Sequence, residues 1–391
     1  MELKPGYKQT EMGVLPADWE ARPLGDYVRF RTGPFGSALH KSDYTHGGVP
    51  VINPMHIVDG NLSPTESMTV TESAARALAD FRVRENDILI GRRGDMGRCA
   101  VVKASQSGWL CGTGSMIVRC GEGIDPSFLQ RVLSSSRAIA AIESASVGST
   151  MINLNQGTLS VLLIQIPPLP EQRAIAAALS DVSALLSALD QFIAKKRDLK
   201  QAAMQQLLTG QTRLPGFSET WETRRLGEVA HLQRGFDLPN SQLKSGPHPV
   251  VYSNGILNHH AAFQASGPGV VTGRSGTIGK VTYVEEDYWP HNTSLWVTNF
   301  RGNIPKFVFY LFTVIGLGRF ATGSGVPTLN RNDVHSFSVR VPRSADEQAA
   351  IAAVLTDMDS ELAGLEQRRE KTRLIKQGMM QELLTGRTRL V

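Results

Sequence analysis

Two short runs combine glycines and cations in the manner of a phosphate-binding loop. Gly91-Arg92-Arg93-Gly94-Asp95-Met96-Gly97-Arg98 and Gly273-Arg274-Ser275-Gly276-Thr277-Ile278-Gly279-Lys280 share a Gly-x-x-Gly-x-x-Gly frame. A P-loop requires glycine, four residues, then Gly-Lys followed by a magnesium-holding Ser or Thr; here Arg274 stands at the first glycine and Val281 follows the lysine. Strand-forming residues flank both runs, so each reads as a β-hairpin turn, with glycine supplying positive φ and Arg or Lys facing outward. Asn53-Pro54-Met55-His56 approaches the Asn-Pro-Pro-aromatic loop that holds a flipped base, but the second proline and the aromatic are missing. No Gly-x-Gly-x-x-Gly follows a strand, and no Gly-x-Ser-x-Gly elbow occurs. Cys99, Cys111 and Cys120 form no Cys-x-x-Cys pair, and His259-His260 reads as part of a polar loop beside Tyr252-Ser253-Asn254-Gly255, so neither metal nor disulfide is expected. These residues contain no catalytic constellation.

The elements that position them come from a duplication. Shifted by 176 residues, Glu171–Leu214 aligns without a gap on Glu347–Leu390, and 24 of 44 pairs are identical. Both blocks open Glu-Gln and close Leu-Leu-Thr-Gly-x-Thr-Arg-Leu. Apolar residues fall at Ile175, Leu179, Val182, Leu186, Leu189 and Ile193, and at Ile351, Leu355, Met358, Leu362 and Leu365, the 4-3-4-3 spacing of a coiled-coil seam. Pro170 and Pro342 signal the starts, Gly210 and Gly386 the stops, giving helices of roughly 38 residues that need a partner along the seam, the duplicate being the obvious one. The preceding segments also correspond, with changing offset: Trp19 with Trp221, Ile88–Val102 with Val270–Val284, Gly148-Ser149 and Leu154-Asn155 with Gly323-Ser324 and Leu329-Asn330. Extra residues of the first copy lie mostly between Gly33 and Asp87, so two lobes share a framework and differ in loops, where a difference in ligand is built. Strands are expected at Val49–Ile52, Asp87–Ile90, Ala100–Val102, Val270–Thr272 and Val281–Val284, and short helices at Phe128–Ile142 and Phe307–Phe320.

The chain has 391 residues, 41 % hydrophobic and 20 % charged, the composition of a folded protein of two or three domains. No run reads as a membrane span and the N-terminus lacks the apolar core of a signal peptide, so a cytoplasmic location is expected. The net charge is +5, and +4 resides in each of Ile193–Leu214 and Glu366–Val391, which leaves the remainder at −3 and makes nucleic acid a plausible partner.

Taken together, the opening Tyr7-Lys8-x-Thr10-Glu11-x-Gly13-Val14-x-Pro16-x-x-Trp19, the duplicated Gly-x-x-Gly hairpin, the Gly-Ser…Leu-Asn segment and the duplicated Glu-Gln…Leu-Leu-Thr-Gly helix resemble the specificity subunits of type I restriction-modification systems over essentially the whole length. The resemblance implies an α/β chain with two similar globular target recognition domains separated by two long antiparallel helices in a coiled coil, a pseudo-twofold duplication. The corresponding divisions are an N-terminal segment (1–15), first recognition domain (16–168), central spacer helix (169–214), second recognition domain (215–343) and C-terminal spacer helix (344–391). It implies a non-catalytic reader of double-stranded DNA, each domain reading one half of a bipartite target while the helices set the spacing and dock partners. Two modification subunits would carry S-adenosylmethionine and methylate adenine; two restriction subunits would carry the nuclease, with ATP and magnesium. No cofactor is expected in this chain. Base-reading candidates are Lys41, Ser42, Tyr44 and His46 in the first lobe and Asn240, Gln242, Lys244, Tyr252, Asn254 and His259 in the second. Arg92, Arg93, Arg98, Arg274 and Lys280 are candidates for phosphate, since cations on rigid turns position without reading sequence. A stand-alone DNA adenine methyltransferase and a coiled-coil scaffold without nucleic acid are the alternatives.

Overall fold

The computed structural model describes residues 5–34, 38–145, 154–323 and 327–390. Gly148, Ser149 and Ser324 of the Gly-Ser segments lie outside the described residues. Two compact units result: one joins residues 1–188 with 370–391, segments remote in sequence, and the other is the continuous stretch 189–369.

In the first unit an antiparallel sheet runs in the order Cys99–Val101, Ile88–Gly91, Ser115–Cys120, Val28–Thr32. In the second, Val281–Val284, Gly269–Gly273, Ser294–Asn299 and His231–Arg234 follow the same order. The correspondence extends to pairing. Leu110–Cys111 lies parallel to Val51–Ile52, as Trp289–Pro290 does to Val250–Val251. Glu20–Pro23 pairs antiparallel with Leu163–Ile166, as Glu222–Arg225 does with Ser338–Val341. Around this shared frame the first unit inserts the Ile57–Val58/Asn61–Leu62 hairpin and the helix Glu72–Ala77, whereas the second builds the hairpin His248–Tyr252/Gly255–His260.

Strand expectations hold to within a residue or two. The two short helices are broken: Pro126–Leu133 and Ser136–Ser144 replace a continuous Phe128–Ile142, and Pro305–Ile315 is followed by a 3-10 turn at Leu317–Phe320. The first break occurs where Ser134 Oγ donates to the Gln130 carbonyl and Ser135 caps the next helix through the Ala138 amide. The second occurs at Gly316, whose φ of 68° is left-handed.

The long helices span Leu169–Leu208 and Ala345–Leu383. Within the first unit Ile175, Ala176 and Leu179 share a core with Met379, Met380, Leu383 and Leu384, so the start of one helix packs on the end of the other. Within the second, Met204, Leu207 and Leu208 meet Ile351, Ala352 and Leu355 in the same antiparallel sense. Ile175, Leu179, Leu189, Ile193, Ile351 and Leu355 are buried; Val182, Leu186, Met358, Leu362 and Leu365 are half-buried. In the second unit ion pairs join the helices: Lys196 with Glu361 at 2.7 Å, Arg369 with Asp190 at 3.3 Å, Arg197 with Glu366, and Lys200 with Asp359. Part of the basic patch is therefore neutralised in pairing. One departure concerns membranes: Leu169–Leu208 is long and apolar enough on length and composition to cross one, an 18-residue stretch of it having a mean hydropathy of 1.3. Its apolar residues at the start, Ile175, Ala176 and Leu179, lie in the lobe core.

Candidate nucleic-acid interface

Both Gly-x-x-Gly runs are hairpin turns. Ile90 pairs with Cys99 and Thr272 with Val281 across the turn bases. Gly94 and Gly97 both have φ of 81°, Gly276 and Gly279 have 80° and 77°. A Cβ on Gly97 would meet Ile139 Cγ1 at 2.5 Å, and one on Gly279 the Gly318 amide at 2.2 Å, so the turns press against the lobe and require glycine twice over.

A second segment clamps each turn. The Leu154 amide donates to the Arg92 carbonyl and the Leu329 amide to the Arg274 carbonyl, at 2.9 and 2.8 Å. The next residue, Asn155 or Asn330, then caps a short helix by accepting from Thr158 or Asn332. This is what the Leu-Asn motif does.

The cations on these turns have different fates. Arg92 does not project outward: its Nε donates to the Leu154 carbonyl at 2.9 Å, and burial lowers its pKa. Arg98 pairs with Asp95 within the turn. Lys280 donates to the Asn254 carbonyl. Arg93 is exposed and Arg274 half-exposed, and neither has a side-chain partner among the described residues.

The loop candidates divide likewise. Lys41, Ser42 and His46 are exposed around the 3-10 turn Lys41–Asp43, whereas Tyr44 is half-buried against the core cluster that contains Leu39, Val70 and Leu78. In the second unit Asn240, Gln242, Lys244, Asn254 and His259 are exposed. Tyr252 accepts from Asn258 Nδ2 at 3.1 Å and stacks on His291 at 4.3 Å, so its ring is held while its edge stays accessible. His259 and His260 lie on a strand rather than in the expected loop; His260 is buried and accepts from the Lys244 amide at 3.0 Å through Nδ1. Alternation along that strand turns one histidine in and the other out. His56 is also inside, its Nδ1 3.2 Å from the Asn53 amide and 3.1 Å from the Val51 carbonyl, and burial lowers its pKa. Asn53-Pro54-Met55-His56 is thus a folded 3-10 turn. The three cysteines are free thiols, with burial pushing Cys99 and Cys120 up to about 12.

A model of the type I restriction modification DNA specificity domain matches residues 16–199 and 218–374. The chain belongs to that family. DNA binding follows from the membership. The chain assigned as the MjaX type I restriction enzyme specificity subunit of Methanocaldococcus jannaschii is 23 % identical over 422 residues, covering 98 % of this chain and 97 % of that one. The MjaVIII specificity subunit of the same organism is 24 % identical over 238 residues, 59 % of this chain and 53 % of that one. In fold, the chain is similar to the type I S subunit of M. genitalium, with a TM-score of 0.65, 17 % identity and 98 % of each chain covered. A chain from a structural study of complex assembly and conformational transition in a type I system gives a TM-score of 0.59 at 17 % identity, covering 96 % of this chain and 99 % of that one. The α/β fold with two alike lobes and two long antiparallel helices is that of this specificity family.

Sequence reasoning missed the residues that tie each helix to its lobe. Glu171, fully buried, accepts from Trp19 Nε1 at 2.9 Å and from Arg389 Nε at 2.7 Å; Glu347 accepts from Trp221 Nε1 at 3.2 Å and from Arg213 through both Nε and Nη2. Gln172 accepts from the Asp125 amide and donates to the Gly123 and Pro167 carbonyls; Gln348 accepts from the Ile304 amide and donates to Asn303 Oδ1 and the Pro342 carbonyl. The shared Glu-Gln opening, together with Arg213 and Arg389 at matched places, was the available signal.

Proposed function

We propose that this chain is the non-catalytic DNA reader of a type I methylating and restricting complex. Each lobe reads one half of a bipartite target in double-stranded DNA. The two helices set the distance between the half-sites and dock two modification subunits, which bring S-adenosylmethionine and methylate adenine. Two restriction subunits join with ATP and magnesium. The observation that carries this reading is a strand framework repeated pair for pair in both units while the loops around it diverge. Like frameworks suit one kind of partner docking twice, and unlike loops suit two different half-sites. Arg93 and Arg274 on clamped turns are suited to phosphate, and Lys41, Ser42, His46, Asn240, Gln242, Lys244, Asn254 and His259 to base edges. The half-buried Tyr44 supports its loop from beneath.

Methylome sequencing of cells expressing the chain with its modification subunit tests this directly. Exchanging 33–84 for the corresponding loops of a relative should change one half of the methylated motif and leave the other intact. A motif altered in both halves, or in neither, contradicts the modular reading. A gel shift at two salt concentrations should show steep weakening at the higher one, because phosphate contacts release counterions.

A further inference from the structure

The duplication brings four side chains together beside the short helix of the second unit, and the matched positions of the first unit differ in charge. In the second unit, Tyr310 Oη donates to Asp359 Oδ2 at 2.7 Å and lies 3.2 Å from Thr356 Oγ1, while Lys200 pairs with the other Asp359 oxygen. One cation meets one carboxylate, and the set is neutral.

The helix shift of 176 residues places Ser180 opposite Thr356, Ser183 opposite Asp359 and Lys376 opposite Lys200. Arg131 takes the place of Tyr310, since the Gln172 and Gln348 contacts align Asp125 with Ile304 and so Pro126–Leu133 with the start of Pro305–Ile315. Arg131 Nη2 reaches Ser180 Oγ at 3.3 Å, as Tyr310 reaches Thr356. The carboxylate, however, is gone. Ser183 turns its hydroxyl to the Leu179 carbonyl at 2.8 Å. Two cations remain, and among the described residues neither Arg131 nor Lys376 has an ion pair.

Three observations mark the consequence. Arg131 Nε is buried without a hydrogen-bond acceptor among the described residues. Burial and then the Arg131 guanidinium lower the pKa of Lys376, with the exposed Asp59 opposing weakly. An open polar pocket of about 400 Å³ adjoins, lined by Arg131 and Ser180 together with Asn61, Lys103, Ser127 and the acid Glu85. A buried guanidinium donor left without an acceptor is costly, and the same side chain lines the polar pocket.

We propose that the first unit holds a binding site for a small oxyanion of the phosphate class between Arg131 and Lys376, where its sister repeat carries the built-in carboxylate of Asp359. Two cations rather than one, and room beyond that of a single carboxylate, favour a phosphate dianion over a monocarboxylate. The geometry is independent of which DNA the chain reads.

The test is thermal unfolding of the full chain in millimolar inorganic phosphate, sulfate or acetate, each against chloride at equal ionic strength. Phosphate and sulfate should raise Tm saturably, by about 3 °C at ten times the dissociation constant, and acetate less. Ser183→Asp copies the sister repeat, so it should raise Tm in chloride and abolish the response to phosphate. Lys376→Met should abolish the response without the rise. Asp359→Ser should lower Tm in chloride without adding a second phosphate response, because the second unit keeps only the one cation, Lys200. Equal responses in wild type, Ser183→Asp and Lys376→Met would overturn the site, as would a response to acetate equal to that of phosphate.

Discussion

Glu171 and Glu347 carry more of the architecture than any residue nominated for DNA. Each is a carboxylate with almost no exposure, and each takes its charge balance from an arginine that lies beyond the far end of the other long helix. Removing one partner of such a buried pair costs about 3 kcal/mol. The two sites are not equivalent, because Arg389 also pairs with Asp18, whereas Arg213 has Glu347 alone among the described residues. Glu347→Gln should therefore lower Tm by about 6 to 12 °C, and Glu171→Gln by less, measured by calorimetry. The thiols give a second check at this scale. With pKa values raised to about 12 for Cys99 and Cys120, and Cys111 raised further by burial, the thiolate fraction at pH 8 is about 10⁻⁴. A disulfide reagent at pH 8 should leave all three unmodified in the native chain and modify all three in denaturant. Of the site itself, the sequence made legible the glycine-dependent turns but not the fates of their cations. Whether an arginine reaches outward, like Arg93, or folds onto a carbonyl, like Arg92, depends on Leu154, which lies 62 residues away from Arg92.

At the scale of elements, the long helices were readable because their pattern is local and doubled. Pro170, the heptad seam and Gly210 are all within one stretch, and the start at Leu169 and end at Leu208 lie within two residues of those signals. The broken short helices were not readable, since the apolar pattern from Phe128 to Ile142 continues through Ser134 and Ser135, whose hydroxyls redirect the chain by bonding to nearby carbonyls. Burial along the helices tells which apolar residues hold them. Leu179 and Leu355 are each 0 % exposed, whereas Leu185 is 42 % exposed on the same helix as Leu179. Leu179→Ala or Leu355→Ala should cost about 2 to 5 kcal/mol, and Leu185→Ala less than about 0.5 kcal/mol, read from urea midpoints at constant slope.

At the scale of the whole molecule, the duplication is circular, and the two crossings from helix to lobe show it. In the second unit the crossing is continuous: Gly210 ends the helix against the Trp221 ring, with 3.1 Å between Trp221 Cε3 and the place of a Cβ, and Arg213 reaches Glu347 on the way. In the first unit the same parts come from opposite ends of the chain. Gly386 ends its helix against Trp19 at the corresponding 3.4 Å, Arg389 reaches Glu171, and Tyr7 Oη donates to the Gly386 carbonyl at 3.2 Å. Tyr7–Thr10 and Gly13–Pro16 form a hairpin that accompanies this crossing. One crossing is covalent and the other is held by side chains, yet both place tryptophan, arginine and buried glutamate alike. A permuted chain should therefore keep the fold. Joining Leu390 to Gly6 through a short flexible linker and opening the chain between Gln211 and Thr212 leaves both Trp–Glu–Arg sets complete. The permutant is expected to keep the circular dichroism of the parent and to unfold within a few degrees of it. With the modification subunit it should write the same two half-sites. Opening the chain inside the helix, between Ile193 and Ala194, severs a buried seam and should abolish folding. If both permutants unfold alike, the side-chain crossing in the first unit is not equivalent to the covalent one in the second.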